Sequence, residues 1–363
     1  MVFSSFLIAF TASALACVAV IATVRIHGRY TNDEVSSQPQ KFHERAVPRV
    51  GGAALFVGLA VGGAWFGMGG DGGLYMAKWA GLAALPVFLG GFVEDLTKRV
   101  TARDRLLLSF LSAAIVYYEL GVQVTRLGSP WFDQNILTYP GVSLVLSLVM
   151  IGGVAHSTNL IDGFHGLLGG FAVLVLLFFS IVAHNLNDYS LFMYCVIFGG
   201  ALLGVLVFNF PLGRIFLGDG GAYLVGFLLA LFSVLLVKNS PTISPWYPLT
   251  ILIYPIFETI FSIARKTMRS NSSAMEPDQF HLHMLIHHLL YKKAKISRKW
   301  CNPATSAVIL VALVPKMIVA TMAASSTDVL VIIAVGFCVL YILVYRMLSV
   351  ICSDNSEDES VRL

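Results

Sequence analysis

The stretch Asn159–Gly170 reads NLIDGFHGLLGG. It sets an Asn, an Asp and a His among glycines, and it lies between two long apolar runs, 140–158 and 166–184. A helix that crosses a bilayer needs roughly 20 apolar residues, and each run approaches that length. Outward in both directions the same alternation of apolar run and polar link repeats. Of 363 residues, 57% are hydrophobic and 12% are charged, where soluble domains carry about 25% charged residues. The mean hydropathy is +0.80. These values exclude a large soluble core. The expected fold is all-α, a polytopic transmembrane helical bundle of about 11 spans. They fall at 3–24, 50–67, 77–93, 106–122, 140–158, 166–184, 190–208, 220–237, 248–264, 303–322 and 328–348.

The 24 Lys and Arg gather on the odd-numbered links and at the C-terminal end, and only Lys78, Arg126, Lys238 and Lys316 fall elsewhere. The positive-inside rule then places the N-terminus outside and the C-terminus in the cytoplasm. The first apolar run has no basic residue ahead of it and is too long for a signal sequence, so it reads as an uncleaved span. Cys17, Cys195, Cys301, Cys338 and Cys352 stand at no metal or redox spacing and read as apolar filler or free thiols. With no repeat and no linker, residues 1–352 read as one integral membrane domain. Residues 353–363 read as a disordered, acidic, cytoplasmic tail.

This topology puts each polar oddity on the cytoplasmic side: KFHERAVPRVGG (41–52), EDLTKR (94–99), the opening stretch, NFPLGRIFLGDGG (209–221) and PDQFHLHMLIHH (277–288). An ionisable side chain costs about 2.5–3.5 kcal/mol at the centre of a spanning helix, and less at the interface. A single lysine there is ordinary helix-end decoration; five clusters on one face point to function. Asp219, between glycines at the start of a span, pairs a carboxylate with a helix N-terminus that favours anions, which suits Mg²⁺ beside a phosphate. Glu94 and Asp95 are adjacent acids with Lys98 one turn on. They suit a cation, a proton acceptor or a phosphate contact, and equally a helix end with local ion pairs. Asn159 and Asp162 share one helical face. Leu282, Leu285, Ile286 and Leu289 recur at helical spacing, as in an amphipathic helix on the inner membrane surface. His281 and His283, two apart, diverge on one regular helix, so they read as loop histidines contacting phosphate rather than a zinc pair. A secondary transporter also places charges and glycines inside helices, but near the membrane midplane. A non-catalytic scaffold is the third class.

Taken in order, PRVGG, EDLTK, NLIDGFHGL, FNFPLGRIFLGDGG and DQFHLHM, within residues 41–288, resemble the polyprenyl-phosphate N-acetylhexosamine-1-phosphate transferases. These are of the glycosyltransferase 4 type, and the match looks like the branch that starts O-antigen and enterobacterial common antigen. The resemblance implies that a cytoplasmic UDP-N-acetyl sugar gives its sugar-1-phosphate to undecaprenyl phosphate with release of UMP. It also implies Mg²⁺ as cofactor, with Mn²⁺ as a substitute, and a bacterial inner-membrane location with the site facing the cytoplasm. Partners are the nucleotide sugar, the lipid and the membrane, with no nucleic acid; a homodimer is left open. By position, Asp219 matches the magnesium aspartate, Asp95 the second paired acid and a further metal candidate, Glu94 the first, and Lys98 a phosphate contact. Asn159, Asp162 and His165 fall on the nucleotide side, Asn209 ahead of the magnesium motif, His281 and His283 near the diphosphate, and Lys41 and Arg49 around the PR.GG signature.

Three positions depart from the family pattern. Glu94 replaces an Asp, His165 the second Asp of DG.DG, and Met284 a third histidine. They argue against the peptidoglycan-type phospho-N-acetylmuramoyl-pentapeptide transferase, which is the alternative within the family. The mechanism expected is in-line attack by the acceptor phosphate on the β-phosphorus, Asp95 helping to place the acceptor. Its rival passes through a phosphoryl-enzyme on Asp95.

Overall fold

The computed structural model describes residues 1–33, 46–69, 73–268 and 281–353. In chain order its helices are α1 (Val2–Ala22), α2 (Val24–Thr31), α3 (Gly51–Gly67), α4 (Gly73–Thr97), α5 (Ala102–Glu119), α6 (Pro130–Asn135), α7 (Pro140–Ile161), α8 (Leu167–Asn185), α9 (Tyr189–Asn209), α10 (Gly218–Asn239), α11 (Trp246–Met268), α12 (Leu282–Lys292), α13 (Arg298–Met322) and α14 (Thr327–Ser353). Every expected span coincides with one of them. Among the described residues, nine helices are long and apolar enough to cross a membrane. The other two expected spans are α3, with 17 residues, and α5, whose first turn is the charged Ala102–Arg105. The protein is a multi-pass, all-α membrane protein. Short α2 and α6 lie in links, and β1 (Asn32–Asp33) pairs antiparallel with β2 (Val47–Pro48), Asn32 opposite Pro48. Residues 354–363 of the expected tail lie outside the described residues; Ser353 ends α14.

The apolar stretch of α10 is entirely buried, as a helix that is hydrophobic all round must be. Around it stand α3, α4, α7 and α8. On α1 and α14, Leu15, Val18, Ile332 and Leu340 face outward, the faces that meet lipid. Lipid tails give apolar side chains little reason to prefer another helix, so spans associate through small residues that let backbones touch. Ala9 and Ser13 of α1, Gly58 and Gly62 of α3, and Gly200 and Gly204 of α9 each sit four residues apart and face one another. A methyl on Gly204 would lie 2.5 Å from the Phe10 carbonyl oxygen, and one on Gly58 would lie 2.7 Å from the Ser13 Cβ. The same device operates beside the polar end of the bundle. A methyl on Gly52 would lie 2.3 Å from the Gly221 nitrogen, and one on Gly91 would lie 2.5 Å from the Gly220 nitrogen. Helices α3 and α4 therefore converge on the start of α10.

Pro255 interrupts α11. It has no N–H, which releases the Ile251 carbonyl from its helical partner. Lys316 of α13 donates to that oxygen at 3.3 Å and to the Thr250 oxygen at 2.8 Å, so a neighbouring helix satisfies the gap. The five cysteines are free thiols, as expected.

Candidate active site

The first N–H groups of α10 have no partner in their own helix, and a residue from another helix supplies one. Asp95, in the last turns of α4 and 2% exposed, accepts from Asp219 N and from Gly220 N, each at 2.9 Å. A carboxylate at a helix N-terminus also meets the positive end of its dipole. The sequence places Asp95 on the cation; in the structure both its oxygens hold the start of α10. Glu94 likewise turns its carboxylate onto Val100 N at 2.7 Å, and Lys98, the residue after α4, lies in the left-handed region with φ 56°.

Once α10 is held, Asp219 presents its carboxylate at the mouth. The segment after β2 is clamped beside it by Phe216 N to Pro48 O at 2.9 Å, Gly51 N to Phe216 O at 2.8 Å and Gly52 N to Leu217 O at 2.8 Å. Gly218 has φ 71°, and a methyl there would lie 2.0 Å from the Arg49 carbonyl oxygen. So fixed, Arg49 reaches Asp219 Oδ1 at 3.1 Å and Asp95 at 3.7 Å. Arg105 pairs with the other oxygen, Asp219 Oδ2. It sits in the first turn of α5, which Thr101 and Asp104 fix as a capping box. Its guanidinium also lies 5.5 Å from the Tyr223 ring centroid. The Tyr223 hydroxyl bonds Asn159 and sits 3.3 Å from His156 Nδ1.

Asp162 follows the last residue of α7. Its half-buried carboxylate accepts no hydrogen bond among the described residues. Burial pushes it up to about 7, against the pull of the Arg49 guanidinium. The turn after it is pinned by Asn209, whose Oδ1 accepts from Gly166 N at 2.6 Å and whose Nδ2 donates to Ile215 O at 2.8 Å. Asn209 thus ties two motif loops together. His165 N donates to Asn302 Oδ1 at 2.7 Å, and its Nδ1 lies 3.2 Å from the Pro211 carbonyl oxygen. A cavity of about 570 Å³ opens here, lined by His165, Pro211, Gly213, Arg214, Arg298 and Asn302 among others.

His281 and His283 close the far side. The expected amphipathic helix is α12, but the two histidines do not diverge. His281 is its N-cap with φ −76° and ψ 148°, extended backbone rather than helix. The imidazoles therefore stack, 5.3 Å between centroids and 13° between planes. Both are buried instead of lying in an open loop. Burial holds His283 down to about 3. Its ring lies 5.4 Å from that of Phe164, beside the Asp162 turn. Glu258 of α11 meets His281 Nδ1 at 3.0 Å.

The structure thus gathers Arg49, Glu94, Asp95, Lys98, Asn159, Asp162, His165, Asn209, Asp219, His281 and His283 at one end of the bundle. Lys41 lies outside the described residues. Sequence reasoning missed Arg105, Tyr223, Asn302 and Glu258. Arg105 stands immediately before a run of three leucines, where a base looks like an ordinary interfacial charge; Glu258, an acid within an expected span, was the available signal. Among the described residues no three His, Cys, Asp or Glu side chains gather as a metal-binding group. Mg²⁺ commonly takes only one or two carboxylates with substrate phosphates. The hard oxygens of Asp219 and the unpartnered carboxylate of Asp162 fit that donor set.

Residues 79–237 match the family model described as Glycosyl transferase family 4. A relative from Bacillus subtilis, called a probable undecaprenyl-phosphate N-acetylglucosaminyl 1-phosphate transferase, is 27% identical over 67% of this chain and 66% of its own length. An undecaprenyl-phosphate alpha-N-acetylglucosaminyl 1-phosphate transferase from Yersinia pestis is 25% identical over 76% of this chain and 74% of its own. A phospho-N-acetylmuramoyl-pentapeptide-transferase from a Geobacillus strain is 33% identical over 41% of this chain and 47% of its own. The chain spans just under two thirds of the first of these relatives and about half of the third.

Proposed function

From a chain whose residues 79–237 belong to glycosyl transferase family 4, we propose a membrane enzyme that moves an N-acetylhexosamine-1-phosphate from a cytoplasmic UDP-sugar to undecaprenyl phosphate. UMP leaves, and the product begins a surface polysaccharide on its lipid carrier at the inner membrane. The observation that carries this reading is the Arg49–Asp219–Arg105 cluster at the start of α10. Two guanidiniums and a helix N-terminus suit a diphosphate, and the carboxylate between them suits its cation. The name-level similarity to N-acetylglucosaminyl 1-phosphate transferases extends over more of the chain than that to the muramoyl-pentapeptide enzyme, which favours the same branch.

Asp219, with Asp162 as second donor, would hold Mg²⁺, which offsets charge on the diphosphate when bound. Arg49 and Arg105 bind the phosphoryl oxygens and orient the β-phosphorus for in-line attack. Tyr223 and Asn159 steer the Arg105 side. Asp95 keeps α10 in place. Its buried oxygens are already engaged by two N–H groups, which favours direct displacement over a phosphoryl-enzyme on that residue. His165, Arg214 and Arg298 line the cavity that suits the nucleotide.

The test is transfer of radiolabel from UDP-GlcNAc into butanol-soluble lipid by purified protein. Asp219→Ala is expected to lower kcat at least about 1,000-fold, in line with loss of a group that stabilises transition-state charge. Normal Mg²⁺-dependent UMP release by that variant would overturn the reading.

A further inference from the structure

Glu258 is an acid within a helix long enough to cross a membrane, and it is 1% exposed. Such a group is costly unless its oxygens are all engaged. Here Oε1 faces His281 Nδ1 at 3.0 Å and accepts from Leu282 N at 3.3 Å, while Oε2 accepts from the Tyr341 hydroxyl at 2.7 Å. Helices α11, α12 and α14 therefore meet on one carboxylate. An ionised carboxylate only accepts hydrogen bonds. The ring nitrogen that faces it must donate, which assigns the proton of neutral His281 to Nδ1 and the lone pair to Nε2. His281 stacks on His283, whose buried Nδ1 has no hydrogen-bond partner among the described residues. A methyl on Gly163 would lie 3.8 Å from His283 Nε2, so this pair is contiguous with the Asp162 turn.

We infer that Glu258 is a positioning residue for the transfer reaction: it acts through His281, fixing the tautomer and ring orientation of the His281–His283 pair beside Asp162. The inference rests on the transferase reading above. Tyr341 and Leu282 N hold the carboxylate in turn, so that it cannot rotate away from the ring.

The kinetic test uses purified full-length protein with UDP-GlcNAc and undecaprenyl phosphate. Glu258→Gln is expected to lose at least about tenfold in kcat with donor KM within about twofold, as when a partner that orients a functional histidine is removed. Residues that act as one unit are not additive, so the double variant with His281→Gln is expected to be no slower than His281→Gln alone. Wild-type kcat in Glu258→Gln, or losses that multiply in the double variant, would overturn the inference. A second readout needs no turnover. In ¹⁵N-histidine NMR of the wild-type protein, the resonance that His281→Gln removes is expected to report a protonated Nδ1. A protonated Nε2 there sinks the inference even if Glu258→Gln fails to fold. If wild-type protein transfers no sugar phosphate while the spectrum shows the expected tautomer, the transferase reading fails and the Glu258–His281 geometry stands.

Discussion

The Asp162 carboxylate is the most exposed of the site's questions to pH. Burial raises it to about 7, whereas in an unfolded chain it titrates near an ordinary value of about 3.9. Across that interval the folded protein binds a proton that the unfolded chain has released, so stability from this group is highest below it and falls as pH rises through it. In detergent without divalent cations, Asp162→Asn is expected to flatten the decline in melting temperature between about pH 4 and about pH 7. The ionised form is the one that suits a cation, so wild-type kcat/KM is expected to rise with pH through that upper value. Saturating Mg²⁺ is expected to move the rise to lower pH. A rate profile in Asp162→Asn identical to wild type would reject the assignment. At this scale the place of Asp219 in the first turn of α10 was legible, because the apolar run begins beside it. The duties of Asp95 and Asn209 were not: backbone N–H groups they serve belong to distant segments, and no local spacing encodes them.

At the scale of elements, Lys316 is the clearest case of one helix completing another. Its Nζ meets the Thr250 and Ile251 carbonyls beside Pro255 and lies 4.9 Å from the Phe337 ring centroid. Lys316→Met keeps the side-chain volume and removes the donor. The expected cost is about 1–3 kcal/mol, that of a buried acceptor left unsatisfied, seen as a lower melting temperature with kcat per folded molecule retained. An unchanged melting temperature would show that the proline gap needs no donor. Each spanning helix was legible because a run of about 20 apolar residues has few other uses. The stacking of His281 on His283 was not, because the divergence of positions two apart holds only inside a regular helix, and His281 stands one residue before it. The β1–β2 pairing was equally hidden, since its partners are separated by a polar link with no strand pattern.

For the molecule as a whole, the convergence of distant motifs follows from parity. Helices that alternate in direction return their odd-numbered links to one end, and the positive-inside rule carries the proposal that this end is cytoplasmic. In a cysteine-free background, a cysteine at Asp133 is expected to react with a membrane-impermeant thiol reagent on intact cells, and one at Lys295 only after lysis. The reverse pattern would invert the bundle and place the site outside. Parity was readable from the sequence; which side chains touch within that end was not, since contacts such as Arg105 with Asp219 join residues 114 apart. That contact, together with Arg49, has a further consequence. Fixed guanidiniums give the aspartate internal counter-ions, so electroneutrality at the mouth does not depend on a bound metal. Chelation with EDTA is expected to silence turnover while leaving the helical circular-dichroism spectrum as it is in Mg²⁺, and re-addition restores the rate at once. An enzyme built this way waits in a divalent-poor medium fully assembled, its arginines standing in for the ion until substrate brings one.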